Sequence, residues 1–341
     1  MRRCAIFICL FLFLLGASFA LSETSPPTIV NYEKIKVLMG YAGEILSVAF
    51  SPDGKIMAIG TTEKKVFIWD VSTWQIIATL EGNIDRVMAV AFSPDGKILA
   101  SGDRGNRIYL WNTTTWKTID RIKVKEGIET LTFNHDGSLL AVAYDDKTAV
   151  LWDMKNKTIY KKLEGHKDDT NAIAFSPDGT MVATGSKDHT IIIWDVVSGK
   201  PMKTLYGHSS NVLVVAYSSD GKYLASGGAD NMVIIWDAKA GTLLNTLMGH
   251  SNTVCSLSFI PNTTIVQSGE CKIFLGIFFV KAHVAGSGCN IIFWDIETAK
   301  PLKSVDNDCS LSCSAFSPEA KYFAVGNATH EGQFVIVYEH K

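Results

Sequence analysis

Most of the short motifs that would declare an enzyme are missing from these 341 residues. The eight histidines never fall in the HExxH spacing that places two zinc ligands on one helix face. There is no GxSxG elbow, so the strained turn that exposes a hydrolase serine has no candidate. Phosphate-loop and dinucleotide-binding glycine patterns are absent as well. No CxxC occurs, which removes the zinc ribbon and the thioredoxin-like redox pair. The turn aspartates, such as Asp53 and Asp95, lack the dense oxygen pattern of a calcium loop. Asp168-Asp169 reads as a solvated loop pair. No metal and no cofactor are expected. Charge is also unremarkable in sign: 32 basic against 34 acidic residues give −2, with no run of lysine and arginine. The electrostatic footprint of a nucleic-acid binder is therefore lacking, and no nucleic-acid partner is expected.

Cysteine is scarce, and two of the seven, Cys4 and Cys9, fall in a leader. Arg2-Arg3 is its positive start, Ala5–Leu15 its eleven-residue apolar core, and Ser18-Phe19-Ala20 supplies small residues where a signal peptidase reads. Residues 1–20 are thus expected to be a signal peptide cleaved after Ala20, making the chain secreted or periplasmic. The competing reading is a membrane anchor, but the run is short for a span of about 20 residues. Cys4 and Cys9 lie too early for a lipoprotein signal. Cleavage leaves 30 basic against 34 acidic residues, a balance of −4. The five remaining cysteines, Cys255, Cys271, Cys289, Cys309 and Cys313, all lie in the last third of the chain. Export permits disulfides, and the odd number leaves at least one thiol unpaired.

What the sequence has in abundance is repetition. Residues 207–237, GHSSNVLVVAYSSDGKYLASGGADNMVIIWD, form a phrase that recurs along the chain. Its closing aromatic falls at Trp69, Trp111, Trp152, Trp194, Trp236, Trp294 and, in weaker form, Tyr338. Five of the six intervals are 41 to 44 residues, and only Trp236 to Trp294 is longer, at 58. Length alone would suggest about two domains; the repeat replaces that with one ring. Turns recur at SPDG 51–54, SPDG 93–96, NHDG 134–137, SPDG 176–179, SSDG 218–221 and IPNT 260–263. Proline presets φ and glycine accepts positive φ at such positions. The text between turns is rich in Val, Ile, Phe and Tyr, and is apolar on both faces at Val212–Tyr217, as suits sheets packed between sheets.

With its GH and WD marks and a period in the low forties, residues 33–341 resemble the WD40 repeat family. The resemblance implies an all-β fold: a seven-bladed β-propeller of four-stranded antiparallel blades. Residues 21–32 read as a linker, and residues 33–39, EKIKVLM, as an outer strand without a blade of its own. The seventh blade starts at Leu311–Phe316 and ends with Phe334–Tyr338, three strands only, so strand 33–39 is expected to complete blade seven and close the ring.

The family also implies a four-residue hydrogen-bonded chain per blade. By position it comprises His166, Thr184, Asp188 and Trp194 in blade four, and His208, Ser226, Asp230 and Trp236 in blade five. Blade six keeps His250, Ser268 and Trp294 but shows Gly288 where the acid should fall. At the histidine position blades one and two have Tyr41 and Asn83, blade three has no clear counterpart, and blade seven has none of the set. A hydroxyl, a histidine and an aspartate could also be read as a hydrolase triad, but recurrence from blade to blade marks a structural network.

Blade six departs from the pattern. About residues 270–288 interrupt it, and Ile273 to Val280 is almost wholly apolar, unusual for a loop. The insertion could fold over its blade, plug the channel, protrude as a contact knob, or be text from outside the true coding sequence. Cys271 and Cys289 bracket it, so a disulfide at its neck is feasible. As a knob it would offer Phe274, Ile277, Phe278, Phe279 and Val280 as partner-binding residues.

The function expected is a non-enzymatic, monomeric scaffold that binds protein partners. The resemblance places binding on the loops before the inner strands, near 40–44, 82–86, 124–127, 165–169, 207–211, 249–253 and 306–310. The loops between second and third strands share that face, near 60–65, 102–107, 144–147, 186–189, 228–231, 269–289 and 326–332. The rivals are a propeller enzyme of lactonase, glycosidase or quinone-cofactor type, and a glycan- or solute-binding module. Sequons at Asn112, Asn156, Asn262 and Asn327 bear on glycosylation only in a source that performs it.

Overall fold

The computed structural model describes residues 30–41, 43–271, 289–307, 310–329 and 332–341. Their regular structure is wholly β. Seven four-stranded antiparallel sheets span 45–81, 87–123, 128–164, 170–206, 212–247, 253–307 and 310–340, the last completed by Tyr32–Tyr41. Within each sheet the strands follow chain order from the inner to the third, and the fourth is outermost. Neighbouring inner strands touch all the way round, and the inner strand of blade one meets that of blade seven, so the ring is closed. Among the described residues no helix is long and apolar enough to cross a membrane.

The turn between inner and second strand shows why the phrase repeats. In blade one the Ser51 hydroxyl donates to Asp53 Oδ1 at 2.6 Å and accepts from the Ile56 N–H at 3.0 Å. Gly54, at φ 69°, takes the left-handed step that a side chain resists. Ser93/Asp95, Ser176/Asp178 and Ser218/Asp220 repeat the serine–aspartate bond. Each inner strand carries a bulge near its start, after the first residue in blades one to five, as between Ile45 and Ser47, and after the second in blades six and seven, as between Val254 and Ser256. The bulge increases twist and turns one residue out of the ladder: Leu46, Met88, Glu129, Asn171, Leu213, Cys255 and Ser312.

The core lies in the seams between blades, which is why the strands are apolar on both faces. Six seams set a second-strand alanine beside a branched residue of the next inner strand: Ala58 with Val90, Ala100 with Leu131, Ala141 with Ile173, Ala183 with Val215, Ala225 with Leu257, and Ala324 with Val48. Small against large lets adjacent sheets interdigitate at interior density.

The first strand completes blade seven, pairing Lys34 with Tyr338, Val37 with Ile336 and Leu38 with Val335. It runs Tyr32–Tyr41, longer than the 33–39 read from sequence. The expected linker over 21–32 is cut short, because Val30 and Tyr32 are buried. Tyr32 stacks on Phe293 of blade six at 5.7 Å between ring centres, and its hydroxyl donates to the Ala320 carbonyl at 2.5 Å.

Candidate binding face and its polar networks

Blade four assembles its four residues into one directed chain. Trp194 Nε1–H donates to Thr184 Oγ1 at 2.8 Å, and that hydroxyl lies 2.7 Å from His166 Nε2. His166 Nδ1 lies 2.9 Å from Asp188 Oδ2. Burial pushes the His166 imidazole below the ordinary histidine range, although Asp188 opposes this. A neutral ring that donates from Nδ1 to the carboxylate and accepts the threonine proton at Nε2 satisfies every atom. Burial alone would raise Asp188; hydrogen bonds from Thr190, the Lys167 N–H and His166 outweigh it and hold its carboxyl at about 2.

Blade five repeats this with a serine. Trp236 Nε1–H donates to Ser226 Oγ at 2.9 Å, Ser226 Oγ lies 2.8 Å from His208 Nε2, and His208 Nδ1 lies 2.9 Å from Asp230 Oδ2. Thr184 and Ser226 are buried, and tryptophan occupies a lone pair on each oxygen. The hydroxyl that a triad would use as nucleophile is thus closed in on both counts.

Blades six, two and three use substitutes that the sequence did not reveal. In blade six, Glu270 takes the place assigned to Gly288. Its Oε2 lies 3.3 Å from His250 Nδ1 and accepts the Ser251 N–H at 2.8 Å, while Oε1 accepts the Asn290 N–H at 3.0 Å. Ser268 joins His250 Nε2, at 2.7 Å, to Trp294 Nε1, also at 2.7 Å. Burial would raise Glu270, but His250 and three backbone N–H groups hold it at about 2. In blade two Asn83 receives the Ser101 hydroxyl at 3.2 Å, Ser101 receives Trp111 Nε1–H at 2.9 Å, and Asp103 receives the Ile84 N–H at 2.9 Å. Blade three, where no counterpart was found, gives the Trp152 Nε1–H to the Tyr144 hydroxyl at 3.1 Å. A polar residue near the end of the second strand was the missed signal: Asp103, Tyr144 and Glu270 stand in register with Val87, Ile128 and Val254, the residues before each inner bulge.

These networks pin the loops on one face of the ring. The face is charged over blades one to four. Arg104 lies 3.1 Å from Glu129 and 3.9 Å from Asp145, and Lys187 lies 2.6 Å from Asp169. Burial pushes the Glu129 carboxyl up, against the pull of Arg104. A cleft of about 540 Å³ spans blades seven, one and two, lined by Glu44, Glu63, Asp85, Arg86 and Gln333. A second, of about 260 Å³, lies beside the blade-four network under Lys167, His189 and Tyr206. Over blades five and six the described loop residues include Ser209, Ser210, Asn211, Asn231, Ser251 and Asn252, and none of the described ones there adds an exposed charge. Among the described residues no histidine, cysteine, aspartate and glutamate group is arranged to hold a metal. Phe274, Ile277, Phe278, Phe279 and Val280 lie outside the described residues, as does Gly288.

The family model of the WD domain, G-beta repeat, matches residues 32–70, 74–112, 157–195, 199–237 and 241–295. This chain belongs to the WD40 repeat family. A second family model, the anaphase-promoting complex subunit 4 WD40 domain, matches residues 116–175 and so bridges the blade with the tyrosine substitute. No curated protein matches this WD40 chain. WD40 propellers serve generally as platforms for protein–protein interaction, which agrees with a ring whose recurring polar groups are consumed in holding loops.

Proposed function

We propose that the protein is a non-enzymatic, extracytoplasmic scaffold that takes protein partners, as a monomer, on the face carrying the histidine loops. The observation behind this reading is the burial of both hydroxyl–histidine–aspartate sets behind tryptophan, which leaves loop surface, not a reactive group, as what the face offers. The segment between Cys271 and Cys289 departs from blade six at this same face, because it joins the second and third strands there. Its apolar residues Phe274, Ile277, Phe278, Phe279 and Val280 are proposed as contact residues.

The test is capture from the native extracytoplasmic fraction by three forms of the mature chain: wild type, Lys64→Glu/Lys147→Glu/Lys167→Glu on the histidine-loop face, and Lys155→Glu/Lys239→Glu on the opposite face. The first variant should lose specifically captured proteins and the second retain them. Deleting 272–288 should reduce capture with the melting temperature unchanged. Equal capture by all forms, or hydrolysis that disappears in His208→Ala while the fold persists, would overturn the reading.

A further inference from the structure

The seam between blades six and seven breaks the rule of the other six. Where they place alanine against a branched aliphatic, it places Gln267 against Ser314. Gln267 pairs in register with Ser258 and is fully buried, at 0% exposure. Its Oε1 receives the Ser314 hydroxyl at 3.0 Å and the Ser258 hydroxyl at 3.3 Å, which fills both lone pairs. Ser256, itself buried, bonds Ser314. The amide nitrogen of Gln267 has no acceptor among the described residues. Turning the amide over would only exchange which end lacks a partner, since the same two hydroxyls serve either atom. A buried amide in that state is costly unless something completes it. On the outer side the seam is sealed by Tyr32, Phe293 and Phe323, packed as a cluster. On the inner side Ser258 and Ser314 are half-buried on strands that line the axis.

We propose that this seam is a built internal site for one water molecule, entered from the axial channel and held by the Gln267 amide among Ser256, Ser258 and Ser314. Buried waters of this kind take two to four polar partners and form part of the fold. The proposal is independent of which partner the outer face binds.

Crystals of the mature protein diffracting well enough to show ordered solvent should place a water at hydrogen-bond distance, about 2.7–3.2 Å, from Gln267 Nε2. Oxygen-17 relaxation dispersion in solution should count one slowly exchanging water fewer in Gln267→Ala/Ser314→Val than in wild type. That double variant installs the pair already packed in other seams, so it is expected to fold. A Gln267 amide bonded to a protein acceptor in the crystal, or equal counts of slow waters in the two proteins, would overturn the proposal.

Discussion

Replacing His208 by alanine isolates what a polar network contributes to a blade. His208 is 7% exposed and bridges Ser226 at 2.8 Å to Asp230 at 2.9 Å. Its loss leaves the Asp230 carboxylate buried with only the Ser209 and Met232 N–H groups, at 2.9 and 3.2 Å. An unsatisfied buried group costs about 1–3 kcal/mol, and hydrogen bonds to charged groups lie at the upper end. The void left by the imidazole adds to this, as truncation of a buried side chain does. The sum is about 3–5 kcal/mol, a large part of the roughly 5–15 kcal/mol that holds a typical domain. Equilibrium denaturation in urea should show the loss as a lower midpoint at unchanged slope. Asp230→Ala should be similarly harmful, and His208→Ala/Asp230→Ala less harmful than the two singles added, by about 1–3 kcal/mol of coupling. A single variant within about 1 kcal/mol of wild type, or a strictly additive double, would refute the network account.

Starting the chain at Gly40 removes the strand that pairs with the last strand and the buried Val30, Tyr32 and Leu38; both the first and the last blade should then exchange amide protons faster, with a melting temperature lower by more than a few degrees. Glu270→Gln should cost about 2–4 kcal/mol in chemical denaturation, because both carboxylate oxygens face N–H donors and either orientation of the amide sets its NH2 against one of them. Acid should destabilise the ring in two stages. His166 is depressed in the folded state, so the unfolded chain takes its proton first and stability falls as pH drops below the ordinary histidine value of about 6.5. Asp188 and Glu270 are held at about 2, so their contribution is present above about pH 4 and is lost as pH falls toward 2; a melting temperature flat from pH 7 to 3 would contradict both.

The ring was legible because the repeat states it seven times. Four of the turns carry a serine, an aspartate and a glycine at fixed offsets, as at Ser51, Asp53 and Gly54, and the others keep part of that set. The orphan first strand was legible for a topological reason, three strands at the end and one at the start, and the pairing of Val37 with Ile336 follows from it. Its N-terminal reach was not, since nothing in the polar, proline-containing text before it announces that Tyr32 will stack on Phe293, a residue 261 positions away by numbering. The seam polarity of Gln267 was hidden for the same reason: it is visible only when strands from neighbouring blades are laid side by side.

The blade-six acid shows how matching blades by position misleads where the same contact is made from a different place in the chain. In blades four and five the acid comes from the turn after the second strand, and the strand position two residues earlier is small, Ser186 or Gly228. A side chain at Gly228 would meet His208 Nδ1 at 2.8 Å and Asp230 Oδ1 at 2.9 Å, so the turn acid and a large strand residue compete for one volume. In blades six and two the turn supplies no acid and the strand fills that volume, Glu270 reaching the same histidine and Asp103 the same loop N–H; in blade three the turn keeps Asp146, which binds Thr148, and Tyr144 on the strand takes the tryptophan itself. The carboxylate expected near Gly288 is supplied instead by Glu270, on the strand before the insertion. The insertion consequently interrupts blade six without breaking its network: Glu270 lies before the interruption, Asn290, whose N–H it receives, lies after it, and together they tie the two sides of the neck. A long segment can leave a blade at that point because the bonds of Glu270 to His250, Ser251 and Asn290 join residues on either side of it.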